Sequence, residues 1–433
     1  RRVGGGWGGG WGSLRHVALT LLRYNQRWAR HPRDGRRLSY TCPSPGHYPF
    51  QWFWDSCFHA IALAHLEPEA ARDELELLVS VQAADGFLPH IIFWDRRRLV
   101  SPGLFWAWAQ SSRFGVPKHS ALIQPPVIAA AVERYHAVTG DLDLVCRLLP
   151  ALDRYYDYLS RERCPGGSPL LAIVAPWESG MDHRPSYDRA LRLPYPAAPR
   201  DLVIRPRMLD LANRRWGYQP RALNRTGRFL VQDVLMNAVY ADGLRTLGRL
   251  HALCAGDGSR WSARADQVEA AICSTLCGRD GFFYDRDLKT GRLLPVRTVA
   301  GLMPLLCESI SDSDLAPVVA ALDDPDQFAT PYPAPSVAVR EPSFVPGPQR
   351  WGSGPLIWRG PSWINANWLL HRALIRRGDS VRAGRLAEAA TTLVRHSGFT
   401  EYYHPFTGDG FGAPSFGWST LVVDMLPFAG RDL

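Results

Sequence analysis

Residues 14–30, LRHVALTLLRYNQRWAR, carry the helical repeat on which the prediction of the fold rests. Val17, Leu21 and Trp28 recur at a spacing that places them roughly on one stripe of a helix. Ser13 comes just before this stretch and belongs to the residue types that favour the N-cap position. We therefore predict a helix over 14–30 that begins after Ser13.

The same spacing returns along most of the chain, and sustained strand alternation is missing apart from short pieces near 170–175 and 282–294. About a dozen helices are predicted; those after the first cover 54–66, 69–83, 120–139, 142–162, 231–254, 259–277, 297–309, 313–322, 362–377, 379–397 and 417–427. Long connectors separate some of them, and long connectors usually carry function. These connectors are 85–119, 163–230 and 323–361.

A dozen helices with chemistry in alternate loops predict an all-α fold, an (α/α)6 barrel made of six helical hairpins in a toroid. The Pro-rich stretch 331–348 lies within the helical pattern and is interpreted as a crossing loop. We therefore predict a single catalytic domain over residues 13–433. The Gly- and Trp-rich residues 1–12 are predicted to be flexible.

Composition excludes several classes of protein. Hydrophobic residues make up 46% of the 433 and charged residues 21%, which is typical of a globular protein. No apolar run reaches the length of about 18 residues that a membrane span needs, and the first residues lack an apolar signal core. The eight cysteines show no CxxC pair, and Cys273 and Cys277 are expected to be free buried thiols. These features favour a reduced, cytoplasmic setting.

The net charge of +9 comes almost wholly from one segment. Residues 183–228 hold eleven Arg and three Asp with no Glu or Lys, which gives that segment a charge of +8. Nucleic-acid binding more often uses Lys and Arg spread along a face, so we exclude a nucleic-acid partner. The segment is either a functional loop or a solvated loop from an arginine-biased genome.

Residues 176–182, PWESGMD, place two carboxyl groups beside a tryptophan ring. A carboxyl group in an apolar, aromatic pocket has a raised pKa and can donate a proton near neutral pH. Such a loop suits a proton donor held against a sugar, and the alternative is an exposed loop whose acids face water. On these residues alone, either Glu178 or Asp182 could be the donor.

Other aromatic and polar residues cluster at loop-to-helix junctions. They lie in 48–56 (YPFQWFWDS), in 85–90 (DGFLPH) followed by 124–126 (QPP), and in 360–368 (GPSWINANW) coupled to 401–408 (EYYHPFTG). Flat rings beside polar groups are typical of carbohydrate sites, although many of the 16 tryptophans would also fill a helical core. Asp55 has the alternative role of capping a helix that starts near Ser56.

Taken together, these strings resemble glycoside hydrolase family 63, in particular its small mannosylglycerate and glucosylglycerate hydrolases. The resemblance runs in collinear order from Tyr48 to Trp418. It rests on Tyr-Pro-x-Gln-Trp-x-Trp-Asp, Trp-Glu-Ser-Gly-x-Asp, Gly-Pro-x-Trp-Ile-Asn-x-Asn-Trp and Glu-Tyr-Tyr-x-Pro-x-Thr-Gly, which are jointly specific. The signatures of the neighbouring trehalases are not seen.

The resemblance implies an inverting α-glycosidase with Asp182 as general acid and Glu401 as general base. An inverting hydrolase needs one protonated carboxyl at the leaving oxygen and one carboxylate that activates water, roughly 6.5–9.5 Å apart. No metal or organic cofactor is implied. The implied substrate-binding residues are Tyr48, Trp52, Trp54, Asp55, Gln124, Trp177, Glu178, Gly180 and Trp363, with Glu178 either binding sugar hydroxyls or orienting its loop.

One departure concerns the residues after Asp182. The family commonly continues with Asn-Ser-Pro, whereas this chain has His183-Arg184-Pro185 and then the arginine-rich segment. We therefore hypothesise that arginines of this segment, with Arg184 and Arg225 as candidates, bind a substrate carboxylate such as that of glycerate.

The predicted function is inverting hydrolysis of a small and possibly anionic α-glycoside, with mannosylglycerate or glucosylglycerate as the favoured substrates. The alternatives are an exo-α-glucosidase acting on neutral glucose-containing oligosaccharides and a carbohydrate-binding barrel without activity. A lyase or epimerase on the same fold is disfavoured, because those chemistries rest on His or Tyr bases and the strong motifs here centre on carboxylates.

Overall fold

The computed structural model describes residues 11–95, 103–111, 118–352 and 354–428. The α-helices in these ranges are α1 Trp11–Asn25, α2 Phe53–Leu66, α3 Pro68–Ser80, α4 Gly103–Ala109, α5 Ile128–Thr139, α6 Leu142–Arg163, α7 Tyr187–Ala190, α8 Pro199–Arg214, α9 Pro220–Thr226, α10 Val234–Leu253, α11 Ser259–Leu276, α12 Asp312–Asp323, α13 Ile364–Arg376, α14 Ser380–Ser397 and α15 Val422–Met425. The 3₁₀ helices are Pro165–Gly167, Pro176–Ser179, Val299–Leu306, Gly417–Leu421 and Leu426–Phe428.

The strands are short and pair antiparallel as β1–β2, β3–β4, β5–β6–β7, β8–β9 and β10–β11. They are β1 Gln26–Arg30, β2 Arg37–Thr41, β3 Gln51–Trp52, β4 Ile91–Ile92, β5 Val231–Gln232, β6 Arg286–Asp287, β7 Arg292–Leu293, β8 Gln349–Trp351, β9 Gly354–Leu356, β10 Thr400–Tyr403 and β11 Gly410–Pro414. These hairpins lie in the connections between helices.

Six elements form a closed inner ring: α2, α5, α10, the 3₁₀ helix 299–306, α13 and the segment 417–425. Each contacts the next, and the last contacts α2. The residues of α2 from Phe53 to Ala64 are all buried, which is expected of a helix surrounded on every side. Helix α2 can lie in this inner position because apolar residues occur on every side of it, as in the run from Ala60 to Ala64.

A second layer surrounds this ring, in which α3, α6, α11, α12, α14 and α1 pack on the inner elements. The outer helix α11 buries one stripe, Trp261, Ala265, Val268, Ile272 and Leu276, and leaves its other face to water. The sixth hairpin pairs α1 with 417–425 and so closes the toroid. The predicted all-α (α/α)6 barrel is confirmed.

The first predicted helix differs from the observed structure at both ends. It begins at Trp11, so Ser13 is not its N-cap, and it ends at Asn25. The buried Asn25 side chain donates Nδ2 hydrogen bonds to the Pro43 and Ser415 carbonyls, which turns the chain into β1. Trp28 is therefore exposed on a strand. Of the segment 1–12 predicted to be flexible, residues 11–12 are helical and residues 1–10 lie outside the described ranges.

Three other predicted helices are shorter or different in type, and the one predicted over 417–427 divides into the 3₁₀ helix Gly417–Leu421, α15 and the 3₁₀ helix Leu426–Phe428. The helix predicted over 120–139 begins only at Ile128, because Pro125 and Pro126 cannot donate backbone hydrogen bonds inside a helix. The helix predicted over 297–309 is a 3₁₀ helix, 299–306.

The connector 163–230 was predicted to hold no helix, but it contains α7, α8 and α9. The sequence of α8 hides its helical state, since Pro199 and Pro206 and several arginines interrupt the apolar period. Pro199 is tolerated because it occupies the first turn. The helix α8 contacts α4 and the β8–β9 hairpin, so these elements form one unit.

Two of the cysteines are joined, which the sequence did not lead us to expect. A disulfide links Cys146 of α6 to Cys254, the residue that follows α10. Cys273 and Cys277 are free as predicted, although they are only partly buried. Among the described helices, none combines the length and the apolar character that crossing a membrane requires.

Candidate active site

Glu401 lies on β10, where the pairing with β11 shifts register between Thr400 and Tyr402. Such irregularities re-aim a side chain, and here the carboxyl is directed inward and is 4% exposed. Its Oε1 accepts a hydrogen bond from the Tyr48 hydroxyl at 3.0 Å, and its Oε2 accepts one from the Ala413 N–H at 2.8 Å. Burial raises the pKa of Glu401 to about 7, although both hydrogen bonds oppose this rise.

Asp182 follows the 3₁₀ helix 176–179 and Gly180, a glycine in the left-handed region with φ of 71°. A Cβ at position 180 would lie 2.4 Å from the Trp54 ring, so only glycine lets the loop approach this tryptophan so closely. Asp182 is partly buried. Burial, then the charge of Glu401, then that of Asp210 raise the pKa of Asp182 well above its usual range.

Asp55 lies in the first turn of α2 and is 3% exposed. Helix α2 begins at Phe53, and its N-cap residue is Trp52. The alternative prediction that Asp55 caps this helix is therefore wrong. Its Oδ1 is buried and has no hydrogen-bond partner in the described part of the chain. Burial, Glu401 and Asp182 raise its pKa well above the usual range, so the three carboxyl groups lie within electrostatic reach of one another.

Aromatic rings surround these carboxyl groups. The rings of Trp358 and Trp363 stack with centroids 3.7 Å apart, and Trp54 meets Trp418 edge to face at 5.8 Å. The Trp418 indole also donates a hydrogen bond to the Glu401 carbonyl at 3.0 Å. Trp54 and Trp363 are fully buried, so their main role is to support the wall of the cavity.

Three predicted pocket residues, Tyr48, Trp52 and Trp177, keep part of their surface exposed. Tyr48 contacts Trp52 edge to face at 5.8 Å. Gln124 is almost fully buried, and its Oε1 accepts a hydrogen bond from the Trp54 N–H at 3.1 Å, which ties it to the start of α2. The segments of the sequence that combine aromatic and polar residues therefore lie together in the fold.

Glu178 does not lie where it could bind a sugar hydroxyl, which was one of the two roles predicted for it. It is fully buried, and both of its oxygens accept hydrogen bonds from Arg163. The backbone N–H groups of Ile123 and Val174 complete its contacts at 3.1 and 2.8 Å. The prediction that Glu178 binds substrate is therefore wrong; it orients the loop, which was the other role considered.

The two arginines offered for a substrate carboxylate also need correction. Arg184 is fully buried and forms ion pairs with Asp233 and with Asp285, the latter at 2.7 Å. Its guanidinium has no surface left for a ligand. Arg225 is exposed on α9, which packs on the outer helix α6, and it contacts none of the three carboxyl groups of the cavity within the described residues.

Sequence reasoning missed two residues of α8 beside the 176–182 loop. Asp210 is fully buried and accepts hydrogen bonds from the Trp177 indole N–H at 3.1 and 3.0 Å. Arg207 is partly buried, lies 4.5 Å from the centroid of the Trp106 ring and makes no ion pair in the part of the chain that the structure describes. No sequence signal marked either residue, because the helix that brings them to the loop was not predicted.

The site thus presents three carboxyl groups with raised pKa values among aromatic rings. This arrangement can hold one carboxyl protonated and another ionised near neutral pH, which is the pairing that acid–base cleavage of a glycosidic bond requires. No group of three or more His, Cys, Asp or Glu side chains suited to a metal ion is found among the described residues.

Comparison with known proteins assigns the family. A family model described as "Mannosylglycerate hydrolase MGH1-like glycoside hydrolase domain" matches residues 48–419. The chain is 34% identical to a mannosylglycerate hydrolase of Thermus thermophilus, over 94% of this chain and 98% of that protein. It is 28% identical to a glucosylglycerate hydrolase of Mycolicibacterium hassiacum, over 88% and 93%.

A solved structure gives the same result. The crystal structure of a glycoside hydrolase family 63 mannosylglycerate hydrolase from Thermus thermophilus, in complex with Tris and D-glycerate, superposes with a TM-score of 0.82 at 31% identity. The match covers 96% of this chain and all of that one. The predicted resemblance is thereby confirmed, and with it the prediction of an inverting glycosidase. The chain belongs to the mannosylglycerate hydrolase-like glycoside hydrolases of family 63.

Proposed function

We propose that this protein hydrolyses a small anionic α-glycoside, mannosylglycerate or glucosylglycerate, with Asp182 as general acid and Glu401 as general base. The observation that carries this proposal is the convergence of Asp55, Asp182 and Glu401 in one aromatic site, where burial raises the pKa of all three and the charge of Glu401 adds to the rise at Asp55 and Asp182. We further propose that residues 13–433 act as one catalytic domain, because the ring closes between α1 and residues 417–425.

Each of the two groups suits its proposed role. Protonated Asp182 gives its proton to the glycosidic oxygen as the bond from that oxygen to the anomeric carbon breaks. Ionised Glu401 takes a proton from the water whose oxygen attacks the anomeric carbon from the opposite face, which inverts its configuration. The Tyr48 hydroxyl and the Ala413 N–H hold the Glu401 carboxylate in one orientation for this transfer.

Asp55 and the partly exposed rings suit recognition of the sugar. The unpartnered Oδ1 of Asp55 is available to a sugar hydroxyl, and a buried oxygen that gains such a partner contributes strongly to binding. Tyr48 and Trp52 supply flat apolar surface for a sugar ring.

The leaving group is proposed to carry a carboxylate. The relatives are named mannosylglycerate and glucosylglycerate hydrolases, and the related crystal structure holds D-glycerate. Since Arg184 and Arg225 are unsuitable, Arg207 is the candidate for binding this group. It stands one helical turn from Asp210, and its charge lowers the pKa of His183, next to Asp182, after burial and Arg359.

The test is hydrolysis of mannosylglycerate, glucosylglycerate and a neutral glucose disaccharide, followed by NMR. We expect a glycerate glycoside to be cleaved with inversion of the anomeric centre and a bell-shaped pH profile whose acidic limb lies near the pKa of Glu401, about 7. Asp182→Asn and Glu401→Gln should each lower kcat by several orders of magnitude. Arg207→Met should raise KM for the anionic substrates and leave KM for the neutral one unchanged.

The alternatives predict different results in the same experiment. Preference for the disaccharide would favour an exo-α-glucosidase, and binding of sugars without cleavage would favour an inactive carbohydrate-binding barrel. Near-normal turnover in the Asp182 or Glu401 variant, or a retained anomeric configuration, would overturn the proposed mechanism.

A further inference from the structure

Asp210 stands out among the buried carboxyl groups that the proposed mechanism leaves unused. Its oxygens accept hydrogen bonds from the Trp177 indole, from the Gln110 amide at 3.2 Å and from the Tyr218 hydroxyl at 3.3 Å. Tyr218 also donates to the Ala109 carbonyl at 3.1 Å. Within the ranges that the structure describes, all the side-chain donors to this carboxyl are therefore neutral.

Two other buried carboxyl groups near the site have cationic partners. Glu178 is paired with Arg163, and Asp188 accepts two hydrogen bonds from Arg359 at 3.0 Å. Within the described residues, Asp210 has no such ion pair. A buried carboxyl kept only to hold the fold together usually has a cationic partner, because desolvation of its charge is costly.

The partners of Asp210 belong to three separate segments. Trp177 comes from the 176–182 loop, Gln110 from the residues that follow α4, and Tyr218 from the turn between α8 and α9. Tyr218 adopts a φ of 54°, a conformation that non-glycine residues seldom adopt and that surrounding structure must hold in place. Asp210 is thus the point at which these segments are joined to the loop that ends at Asp182.

We propose that Asp210 is a positioning residue for the general acid: it fixes Trp177, and with it the loop that carries Asp182, and its negative charge keeps Asp182 protonated. This inference rests on the proposed function. The charge of Asp210 is one of the groups that raise the pKa of Asp182, after burial and Glu401. Its effect is therefore to extend the protonated form of the acid to higher pH.

The other charged groups bear on this effect as well. Among the described residues, the titratable and charged groups around Asp182 and Asp210 are Tyr48, Asp55, Glu178, His183, Arg207, Arg214, Tyr218, Arg359 and Glu401. Burial raises the pKa of Asp210 to about 7, and the hydrogen bonds from Gln110, Trp177 and Tyr218 oppose the rise. Asp210 is therefore ionised on the basic side of the activity profile, where the general acid is at risk of losing its proton.

The test is the substitution Asp210→Asn, which keeps the size of the side chain and an acceptor for the Trp177 indole. We expect the basic limb of the kcat profile to move down by about half a pH unit or more, because Asp182 then loses its proton more easily. The matched control is Asp201→Asn on the same helix, where the carboxyl is only partly buried, and its basic limb should not move. An unmoved basic limb in a folded Asp210→Asn enzyme would overturn the inference.

A second comparison uses the leaving group. A 2,4-dinitrophenyl glycoside of the same sugar departs with little help from an acid, so a defect in the acid should affect it much less than the glycerate glycoside. Asp210→Asn and Trp177→Phe should each lower kcat on the glycerate glycoside at least about tenfold more than on the dinitrophenyl glycoside. Equal losses on both substrates would assign Asp210 a structural role only.

The outcomes separate the inference from the proposed function. High turnover of Asp182→Asn on the glycerate glycoside would overturn the proposed function itself. An inactive Asp182→Asn enzyme together with an unmoved profile in Asp210→Asn would overturn only the role of Asp210. If Asp210→Asn fails to fold, Trp177→Phe carries the leaving-group comparison alone, with the same deciding outcomes.

Discussion

Gly412 adjoins the carboxyl group of Glu401 and controls the space that this carboxyl can occupy. Its φ is 77°, and a Cβ built on it would lie 2.4 Å from Oε2 of Glu401. The next residue, Ala413, donates the N–H that holds the same oxygen. The backbone of β11 thus determines the orientation of the proposed base. The lack of a side chain at Gly412 leaves room for the carboxyl group of that base.

We expect Gly412→Ala to lower kcat by about 100-fold, because a shift of about 1 Å at a reacting group costs roughly that much. The measurement is steady-state kinetics on the preferred substrate. The control is Gly398→Ala, since Gly398 has a similar φ of 74° and no atom within 4 Å of the added Cβ. Equal effects of the two substitutions would assign the loss to backbone strain and contradict the steric explanation.

For single residues, the sequence predicted which residue types belong to the candidate site more reliably than it predicted their contacts. The proposed roles of Asp182 and Glu401 came from the family resemblance, which rests on strings in which carboxyl groups adjoin aromatic residues. The same reasoning failed for Glu178 and Arg184, because each is satisfied by a partner that is distant in the sequence, Arg163 and Asp233 respectively. A local string cannot reveal which charged residue is buried against another element.

Among the secondary-structure elements, α6 connects two features of the molecule. Near the start of α6, Cys146 forms the disulfide with Cys254. The last residue of α6, Arg163, binds Glu178 of the 176–182 loop. Arg163 follows Cys146 by 17 positions, which correspond to about 25 Å at 1.5 Å per residue. The disulfide therefore joins the layers at the end of α6 far from the candidate site.

We expect reduction of this disulfide to lower the melting temperature and to leave kcat and KM unchanged. The bond closes a loop over a sequence separation of 108 residues, for which loop-closure entropy predicts a stabilisation of up to about 5 kcal/mol. The measurement is thermal unfolding with and without reductant. Cys254→Ser should melt at the lower temperature and be insensitive to reductant, whereas an unchanged melting temperature after verified reduction would contradict the prediction.

The helices of the barrel were easier to predict from the sequence than α8, which lies in the connection between α6 and α10. Outer and inner helices such as α11 and α10 bury long apolar stripes, so their periodicity was visible and their bounds were nearly correct. In contrast, α8 is stabilised by contacts with α4 and the β8–β9 hairpin, not by a continuous apolar stripe. Both Asp210 and Arg207 were missed for that reason.

In the whole molecule, the candidate site draws on parts of the chain that are far apart in sequence. Asp55 comes from the first inner helix, Asp182 from the connection that precedes α10, and Glu401 from the hairpin that precedes the last inner segment, 417–425. The site therefore exists only when the ring is closed. Asn25 stabilises this closure, because its side chain links α1 to the Pro43 and Ser415 carbonyls at 3.0 and 2.9 Å.

We expect Asn25→Ala to lower the free energy of unfolding by about 2–4 kcal/mol, since the buried Pro43 carbonyl and the partly buried Ser415 carbonyl lose their partner. The measurement is urea denaturation followed by circular dichroism and by activity. Activity should disappear no later than helicity does, because the carboxyl groups separate once the ring opens. The control is Asn224→Ala on α9, a partly buried asparagine for which we expect a change within about 0.5 kcal/mol. A similar loss in both variants would contradict a specific role in closure.

The pairing of α1 with residues 417–425 also has a consequence for biosynthesis. While the chain emerges from the ribosome, α1 can contact α2 but lacks its contacts with residues 417–425, so the ring stays open. Apolar surface that stays exposed during synthesis makes a nascent chain prone to aggregation. The protein should therefore depend on chaperones until translation passes residue 425, and ribosome-bound chains stalled before that point should be devoid of hydrolytic activity.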